Sequence, residues 1–350
     1  MPQTCSTIAK MRLISRLPCF STSEQGETHC SRQYPSNILE ELCHQFSLAE
    51  IRSVLMNIKE SWMIGEDSLG VVYKGYLNRS ATAVAIKRFR KGSVSGLSEA
   101  QLKNEVLFLC QLHHPNIMPL IGFSIERDHE LILVHDYMSN GSLYDLLFNR
   151  TNHKVDPLPW KRRLQICIGV ARGLHYLHSG GKHSIIHNYF KTHYIFLNQN
   201  WEPKISGLFL SKRGPIDVAR SSLTVRNHDN FAYCDPEYMA SGILTAKSNV
   251  FSFAVVLLEV VTAKQARDLY LERMNDPNYS LELNAEKIID PFLKSKIAPG
   301  CWKTFISITE RCLHKHGTER PDMGEVEVEL EHALQLQEEA ETKINCNSWC

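Results

Sequence analysis

The stretch IGEDSLGVVYKG at residues 64–75, followed by VAIK at residues 84–87, decides the fold of this 350-residue chain. Both pieces contain short runs of β-branched and aromatic residues, separated by glycines and by the polar turn at residues 78–80. Such runs, bounded by glycine and polar residues, are typical of β-strands. The sequence therefore predicts three short strands between residues 62 and 88.

The region after these strands first predicts a helix and then two more strands. Ser98 and Gln101 have the spacing of a capping box, and the apolar residues that follow recur at helical intervals. Apolar runs at residues 120–125 and 131–137 predict the further strands. The first 140 residues therefore contain a small, β-rich lobe with one main helix.

After Pro159 the pattern becomes mostly helical. Apolar residues at helical spacing predict buried helices at residues 160–178 and 245–262, and two more at 302–313 and 323–336. The predicted fold class is α+β, with a β-rich lobe followed by a larger α-helical lobe.

Composition excludes several classes of protein. The chain has 39 Lys+Arg against 38 Asp+Glu, and this balance gives no basic field of the kind that binds nucleic acid. The longest apolar run, residues 251–261, is too short to span a membrane and contains Glu259. The 11 cysteines form no C-x-x-C pair, which predicts free thiols rather than a disulfide framework or a zinc module.

Residues 1–45 differ from the rest of the chain. Met1 to Ser23 contains no acidic residue, a feature of organellar transit peptides, but the lack of a clear amphipathic period favours a flexible tail. Cys5 and Cys19 are candidates for acylation, and acylation would give peripheral membrane association. We expect a tail at 1–45, the folded domain at 46–341 and a second tail at 342–350.

The motifs, taken in order, resemble a protein kinase domain. IGEDSLGVVYKG and VAIK are similar to the glycine-rich loop and the strand lysine of that family, and HPNI at 114–117, DPE at 235–237 and RP at 320–321 follow in the same order. The sequences of these motifs most resemble those of plant receptor-like kinases of the Pelle type. CHQFSLAEI (43–51), HGTERPDMGEV (316–326) and LEHALQLQEEAE (330–341) resemble the FERONIA-like, malectin-receptor branch.

The resemblance covers residues 43–341 and implies a bilobal kinase fold, with an N-lobe at about 60–138 and a C-lobe at about 139–341. Because neither a malectin ectodomain nor a membrane span precedes the motifs in this sequence, we expect a cytoplasmic member. The implied partners are other protein kinases or signalling receptors, with no nucleic acid.

The same resemblance implies an ATP site. Lys87 would hold the phosphates and pair with Glu105 on the following helix. The middle glycine of the family's loop is Asp67, whose Cβ and negative charge would face the phosphates, so we expect ATP binding to be weak. The positions implied for ATP contact are Gly65, Gly70, Val72, Ala85, Lys87, Glu105, Asp136 and Met138.

The catalytic positions of the family are not kept. Where kinases read H-R-D-x-K-x-x-N, residues 187–194 read HNYFKTHY. The catalytic aspartate is therefore replaced by Tyr189 and the metal-binding asparagine by Tyr194, while Lys191 is retained. A tyrosine is neutral near pH 7 and cannot act there as a carboxylate base.

The metal-binding D-F-G motif is GLF at residues 207–209. Gly207 has no side chain for Mg²⁺, a cation that prefers carboxylate oxygens, so we expect no Mg²⁺ site. The aspartate that braces the catalytic loop in the family is Asn249. Among the fold-holding residues, the resemblance implies an ion pair between Glu237 and Arg320.

Three functions remain open from the sequence. The first is a pseudokinase that acts as adaptor, decoy or allosteric regulator of receptor-like kinases. The second is an active serine/threonine kinase with an atypical mechanism, although residues 185–240 supply no replacement acids at suitable positions. The third is a decayed duplicate without a selected role.

Two smaller sites also have alternative explanations. Ser221, Ser222 and Thr224 are candidates for phosphorylation by another kinase, or are simply solvated loop residues. His135, at the family's gatekeeper position, either narrows the nucleotide pocket or is a hydrogen-bonded core histidine.

Overall fold

A computed structural model describes residues 43–47, 49–51, 62–66, 70–77, 82–89, 99–125, 131–149, 156–181, 183–214, 216–217, 228–275 and 288–347. The chain divides into an N-terminal unit, residues 1–113 and 119–136, and a C-terminal unit, residues 114–118 and 137–350. The first unit is built on a β-sheet and the second is mostly helical, which confirms the predicted α+β class.

The N-terminal unit contains one six-stranded sheet. Its order is β1-β5-β6-β4-β3-β2, and every neighbouring pair is antiparallel except β1 and β5, which are parallel. The five strands predicted from apolar runs are all present. The strands are β1 (His44–Gln45), β2 (Met63–Glu66), β3 (Gly70–Tyr76), β4 (Ala83–Phe89), β5 (Leu120–Ile125) and β6 (Leu131–Asp136). The predicted helix is α1 (Glu99–Gln111), and its proposed cap Ser98 lies outside the described residues.

The sheet begins earlier than the sequence suggested. Strand β1 lies at the end of the segment predicted as a tail, and it brings Phe46 and Ile51 into a buried cluster on one face of the sheet. Ser47 caps the turn between them: its N–H donates to the Glu50 carboxylate at 2.8 Å. The two strand residues lie at the end of the predicted tail, whereas Phe46 and Ile51 lie inside the predicted domain at 46–341; two residues are too few to show a strand period.

The C-terminal unit contains seven α-helices among its described residues. They are α2 (Leu143–Phe148), α3 (Trp160–Ser179), α4 (Pro236–Ser241), α5 (Ala246–Thr262), α6 (Ala266–Asn275), α7 (Pro299–Cys312) and α8 (Met323–Asn347). Helix α5 begins with a capping box between Thr245 and Ser248, and nearly all of its side chains are buried. It is therefore the central helix of this unit.

Helix α8 continues beyond the predicted end at residue 336 and into the segment predicted as a tail at 342–350. The reason is a buried stripe at helical spacing, Leu330, Ala333 and Gln337, that extends the helix face past the last strongly apolar residues. The Gln337 amide fixes this part by donating to the Lys296 carbonyl at 3.0 Å.

Short strands connect the helices of the C-terminal unit. They form three antiparallel pairs: β7 (Ser184–Ile186) with β10 (Lys212–Gly214), β8 (Ile195–Leu197) with β9 (Pro203–Ile205), and β11 (Ile216–Asp217) with β12 (Ile243–Leu244). Two of these pairs enclose the loops at residues 187–194 and 206–211 and hold them at a fixed separation.

Two buried ion pairs brace the C-terminal unit. The fully buried Arg163 pairs with Asp290 at 2.6 Å and also donates to the Val260 carbonyl. Arg320 pairs with Asp235 at 2.7 Å, and the prediction that it pairs with Glu237 is wrong. The Glu237 carboxylate instead accepts the backbone N–H of Gly317. The DPE motif thus supplies the expected contact from its first acid, because Asp235 is buried at the start of α4 whereas Glu237 is exposed.

Six cysteines whose side chains the structure describes are free thiols, as predicted: Cys43, Cys110, Cys167, Cys234, Cys301 and Cys312. Burial raises the pKa of Cys167 and of Cys312 to about 12, so both thiols stay protonated.

Among the residues that the structure describes, no single helix is long and apolar enough to cross a membrane. One bent pair, α5 with the start of α6, meets the criteria of length and composition only.

Candidate functional site

The loop at residues 187–194 is hydrogen-bonded to the central helix, α5. His187 follows β7 and is completely buried, and its backbone N–H donates to the Asn249 side-chain oxygen on α5 at 2.9 Å. The same oxygen lies 3.1 Å from Nε2 of His178. Asn249 therefore still holds the loop as a neutral acceptor, at the position where the resemblance implies a charged aspartate.

His187 also connects this loop to the second one. Its Nε2 lies 2.7 Å from the Ser206 carbonyl oxygen, directly before Gly207. Burial lowers the pKa of His187 to about 4, so the ring is neutral near pH 7. Asn188 has φ 55° and adopts the left-handed conformation that asparagine tolerates better than most residues. The chain therefore turns sharply between His187 and Tyr189.

The substituted positions form an aromatic cluster, defined here as Tyr189, Tyr194 and Phe209. Their ring centroids are 5.5 Å apart for the two tyrosines, 5.8 Å for Tyr194 and Phe209, and 6.0 Å for Tyr189 and Phe209. Tyr189 and Phe209 are buried. These spacings lie in the range of favourable aromatic pairs, so the cluster is a packed core rather than an open pocket.

Lys191 lies beside this cluster instead of in solvent. It is 7% exposed, and its ammonium lies 4.7 Å from the centroid of the Tyr189 ring and 5.8 Å from that of Tyr194. At such distances the ring faces attract the cation, and the attraction offsets part of the cost of its burial. The retained lysine thus contacts the two residues that replace the catalytic aspartate and the metal-binding asparagine.

Gly207 lies against the same cluster. Its φ is 80°, and a Cβ built on it would lie 2.4 Å from Cδ1 and 2.8 Å from Cγ of Tyr194. No side chain at residue 207 fits there without movement of the ring.

The residues present do not fit a divalent cation. Neither loop, 187–194 or 206–211, contains a carboxylate, and the Tyr194 ring fills the space beside Gly207. Among the residues that the structure describes, no group of three or more His, Cys, Asp or Glu side chains converges as a metal site. Magnesium requires several oxygen ligands in near-octahedral geometry.

A buried carboxylate that the sequence reasoning did not select supports the loop from α5. Glu259 accepts hydrogen bonds from the hydroxyls of Thr192 at 3.0 Å and Tyr233 at 2.7 Å, and from the Ala266 N–H at 2.9 Å. Burial raises its pKa to about 7, against these hydrogen bonds and the charge of Lys191. The sequence does contain a signal for Glu259, since it is the one acidic residue within the apolar run 251–261, and an acid buried there needs hydrogen-bond partners.

The N-terminal unit carries the residues implied for nucleotide contact. Val72 pairs with Lys87 across β3 and β4, so both lie on one face of the sheet, and Ala85 follows on that face two residues before Lys87. Gly70 needs to be glycine, because a Cβ there would lie 2.1 Å from the Arg88 carbonyl oxygen. Gly65 has open space around it, so close packing does not explain it.

The remaining implied residues are distributed over both units. Glu105 is buried in α1, and the Lys87 ammonium lies 5.0 Å from the Phe89 ring; the pairing of Lys87 with Glu105 stays a prediction. Asp136 ends β6 in the N-terminal unit, whereas Met138 belongs to the C-terminal unit and is buried there.

His135 makes the contact expected of a hydrogen-bonded core histidine. Its Nδ1 lies 3.0 Å from the Pro119 carbonyl oxygen. Burial lowers the pKa of His135 to about 4. Asp67, Ser221, Ser222 and Thr224 lie outside the described residues, as do Cys5 and Cys19, so the predictions made for them stand as predictions.

A lysine-bearing β-sheet unit, followed by a helical unit with a histidine-anchored loop, defines the class as a protein-kinase fold. The profile of the protein tyrosine and serine/threonine kinase family matches residues 58–330, and the chain belongs to this family.

The predicted branch is confirmed by relatives in Arabidopsis thaliana. The receptor-like protein kinase FERONIA is 42% identical over 323 residues, which cover 90% of this chain and 35% of FERONIA. The receptor-like protein kinase ANXUR2 is 44% identical over 340 residues, which cover 93% of this chain and 39% of ANXUR2. The chain thus spans little more than a third of the length of these relatives.

Proposed function

We propose that this chain is a pseudokinase, a member of the protein kinase family that does not transfer phosphate and acts through binding to other proteins. One observation carries the proposal: Tyr189, at the position of the catalytic carboxylate, is buried against Tyr194 and beside Lys191. The loss of a general base alone costs about 10²–10⁴ in rate. Here the base and both protein ligands of the metal are replaced together.

Weak or absent nucleotide binding is part of the proposal. Lys87, Val72 and Ala85 retain the sheet face implied for ATP, but the C-terminal unit offers no carboxylate for Mg²⁺ at Gly207 or Tyr194. Uncompensated phosphate charge is costly to bind. ATP, if it binds, is expected to bind without the metal.

The proposed role is that of an adaptor, decoy or allosteric partner for other protein kinases or signalling receptors in plants. Support comes from the contrast between the replaced loops and the retained scaffold. The buried pairs Arg163–Asp290 and Arg320–Asp235 and the acceptor Asn249 all hold the kinase fold in place. We place the protein on the cytoplasmic side, with Cys5 or Cys19 as the sites that would attach it to the plasma membrane.

A phosphate-transfer assay tests the absence of catalysis. Purified protein is incubated with γ-labelled ATP, Mg²⁺ and a generic protein substrate, beside an active protein kinase domain. In the reaction with the purified protein, we expect no label in this protein or in the substrate. The Lys87→Met variant should give the same result. Label that disappears in Lys87→Met would establish the alternative, an active kinase with an atypical mechanism.

Thermal unfolding with ATP, with and without Mg²⁺, tests the proposed loss of the metal. We expect the same melting temperature with ATP whether or not Mg²⁺ is present. A stabilisation that requires both ATP and Mg²⁺ would contradict the proposal.

A direct binding measurement separates a selected role from decay. The immobilised protein is exposed to purified kinase domains of receptor-like kinases, with its heat-unfolded form as the control. Saturable binding to the folded form alone supports the adaptor role. Binding to none of these domains would favour the decayed duplicate.

A further inference from the structure

The contact between Gly207 and Tyr194 differs from the ordinary case of a glycine in a turn. Asparagine, aspartate and even alanine reach positive φ at a modest cost, so a φ of 80° alone does not require glycine. The close approach does require it. The nearest atoms to an added Cβ are Cδ1 and Cγ of Tyr194, at 2.4 and 2.8 Å.

The ring cannot yield easily to such a side chain. Cγ is the first atom of the ring, and it moves only by rotation about χ1 to another rotamer or by movement of the Tyr194 backbone. That backbone is fixed, because the Tyr194 carbonyl accepts the Ser206 N–H at 2.9 Å and the Tyr194 N–H donates to the Lys191 carbonyl at 3.0 Å. Phe209 and Tyr189 pack against the ring itself.

Gly141 offers an internal comparison. It also has positive φ, 67°, but a Cβ there would meet only the Asp145 Oδ2, at 4.0 Å. The two glycines therefore share the backbone cost of a substitution and differ in the contact with an aromatic ring.

We propose that Tyr194 and Gly207 form one coupled unit, in which the Tyr194 ring occupies the space of a side chain at residue 207. The coupling means that a carboxylate for a divalent cation cannot be regained at residue 207 while Tyr194 is present. This inference rests on the proposed function and deepens it: the cation is excluded by a packed ring as well as by missing ligands.

The test compares melting temperatures of Gly207→Ala, Tyr194→Ala and the double variant, with Gly141→Ala as the matched control. Coupled neighbours share interaction free energies large enough to move the melting temperature of a large domain by about 2–8 °C. We expect Gly207→Ala to lower the melting temperature by that much more than Gly141→Ala does. The excess should vanish when Gly207→Ala is introduced into Tyr194→Ala.

An excess that persists in the Tyr194→Ala background would overturn the inference, as would equal losses for Gly207→Ala and Gly141→Ala. If Gly207→Ala alone does not fold, the double variant must fold as well as Tyr194→Ala. None of these measurements involves phosphate transfer. Label incorporated by the unmodified protein would therefore refute the proposed function and leave the coupling intact. A failed melting-temperature test would refute the coupling and leave the proposed function intact.

Discussion

Glu259 should make the stability of this protein depend on pH in an unusual direction. Burial raises its pKa from 4.5 to about 7, so the folded protein keeps the Glu259 proton over a range in which the unfolded chain has lost it. The folded state then binds more protons than the unfolded state. The contribution of Glu259 to stability is therefore complete below about pH 4.5 and is lost as the pH rises to about 7.

The magnitude follows from the size of that rise. A pKa raised from 4.5 to about 7 corresponds to about 3 kcal/mol of unfolding free energy. Glu259→Gln removes the titration and keeps the shape. The amide oxygen can accept the Ala266 N–H, and its NH₂ group can donate to the hydroxyls of Thr192 and Tyr233, because hydroxyls both donate and accept.

Urea unfolding between pH 5 and pH 8 measures the effect. The unmodified protein should lose about 2–3 kcal/mol more than Glu259→Gln over this range, so that the variant gains relative stability as the pH rises. The matched control is Glu310→Gln, at an exposed position on α7, which should follow the unmodified protein. Parallel pH profiles for the unmodified protein and Glu259→Gln would refute the reasoning.

Three further substitutions test the scaffold by urea unfolding. Asn249→Ala removes the acceptor for two buried donors and should cost about 1–3 kcal/mol for each, whereas Asn249→Asp keeps the acceptor; equal stability of the two variants would contradict this. Asp290→Ala leaves the charge of Arg163 buried and unpaired and should cost about 3–5 kcal/mol, so a loss under about 1 kcal/mol would show that the pair is unimportant. Phe46→Ala should lower the free energy of unfolding by about 3–5 kcal/mol. A loss no larger than that of the exposed control Gln45→Ala would show that the N-terminal segment is not part of the core.

Much of the fold was predictable because its elements have strong periods. The observed bounds agree within one residue with those predicted for the strands at 120–125 and 131–137 and for the helix at 160–178. Strand β1 was not predictable from period, since two residues carry none. It belongs to the sheet because Phe46 and Ile51 are buried there, and that is a property of the tertiary structure.

The candidate site was predictable in its residues but not in its packing. Motif spacing identified Tyr189, Tyr194 and Gly207, because the family order fixes their places in the chain. The contact of the Tyr194 ring with Gly207 depends on the distance between two loops 13 residues apart, which no local pattern encodes. The same limit applies to Arg320, whose partner Asp235 differs from the predicted acid by two positions.

The neutral acceptor under the loop also sets the conditions over which the loop keeps its place. A carboxylate at residue 249 would lose its charge in acid, but the Asn249 amide does not titrate. Burial also lowers the pKa of its second partner, His178, to about 4. The hydrogen bond that attaches His187 to α5 through Asn249 therefore depends on distance and direction alone, and neither mild acid nor added salt removes it.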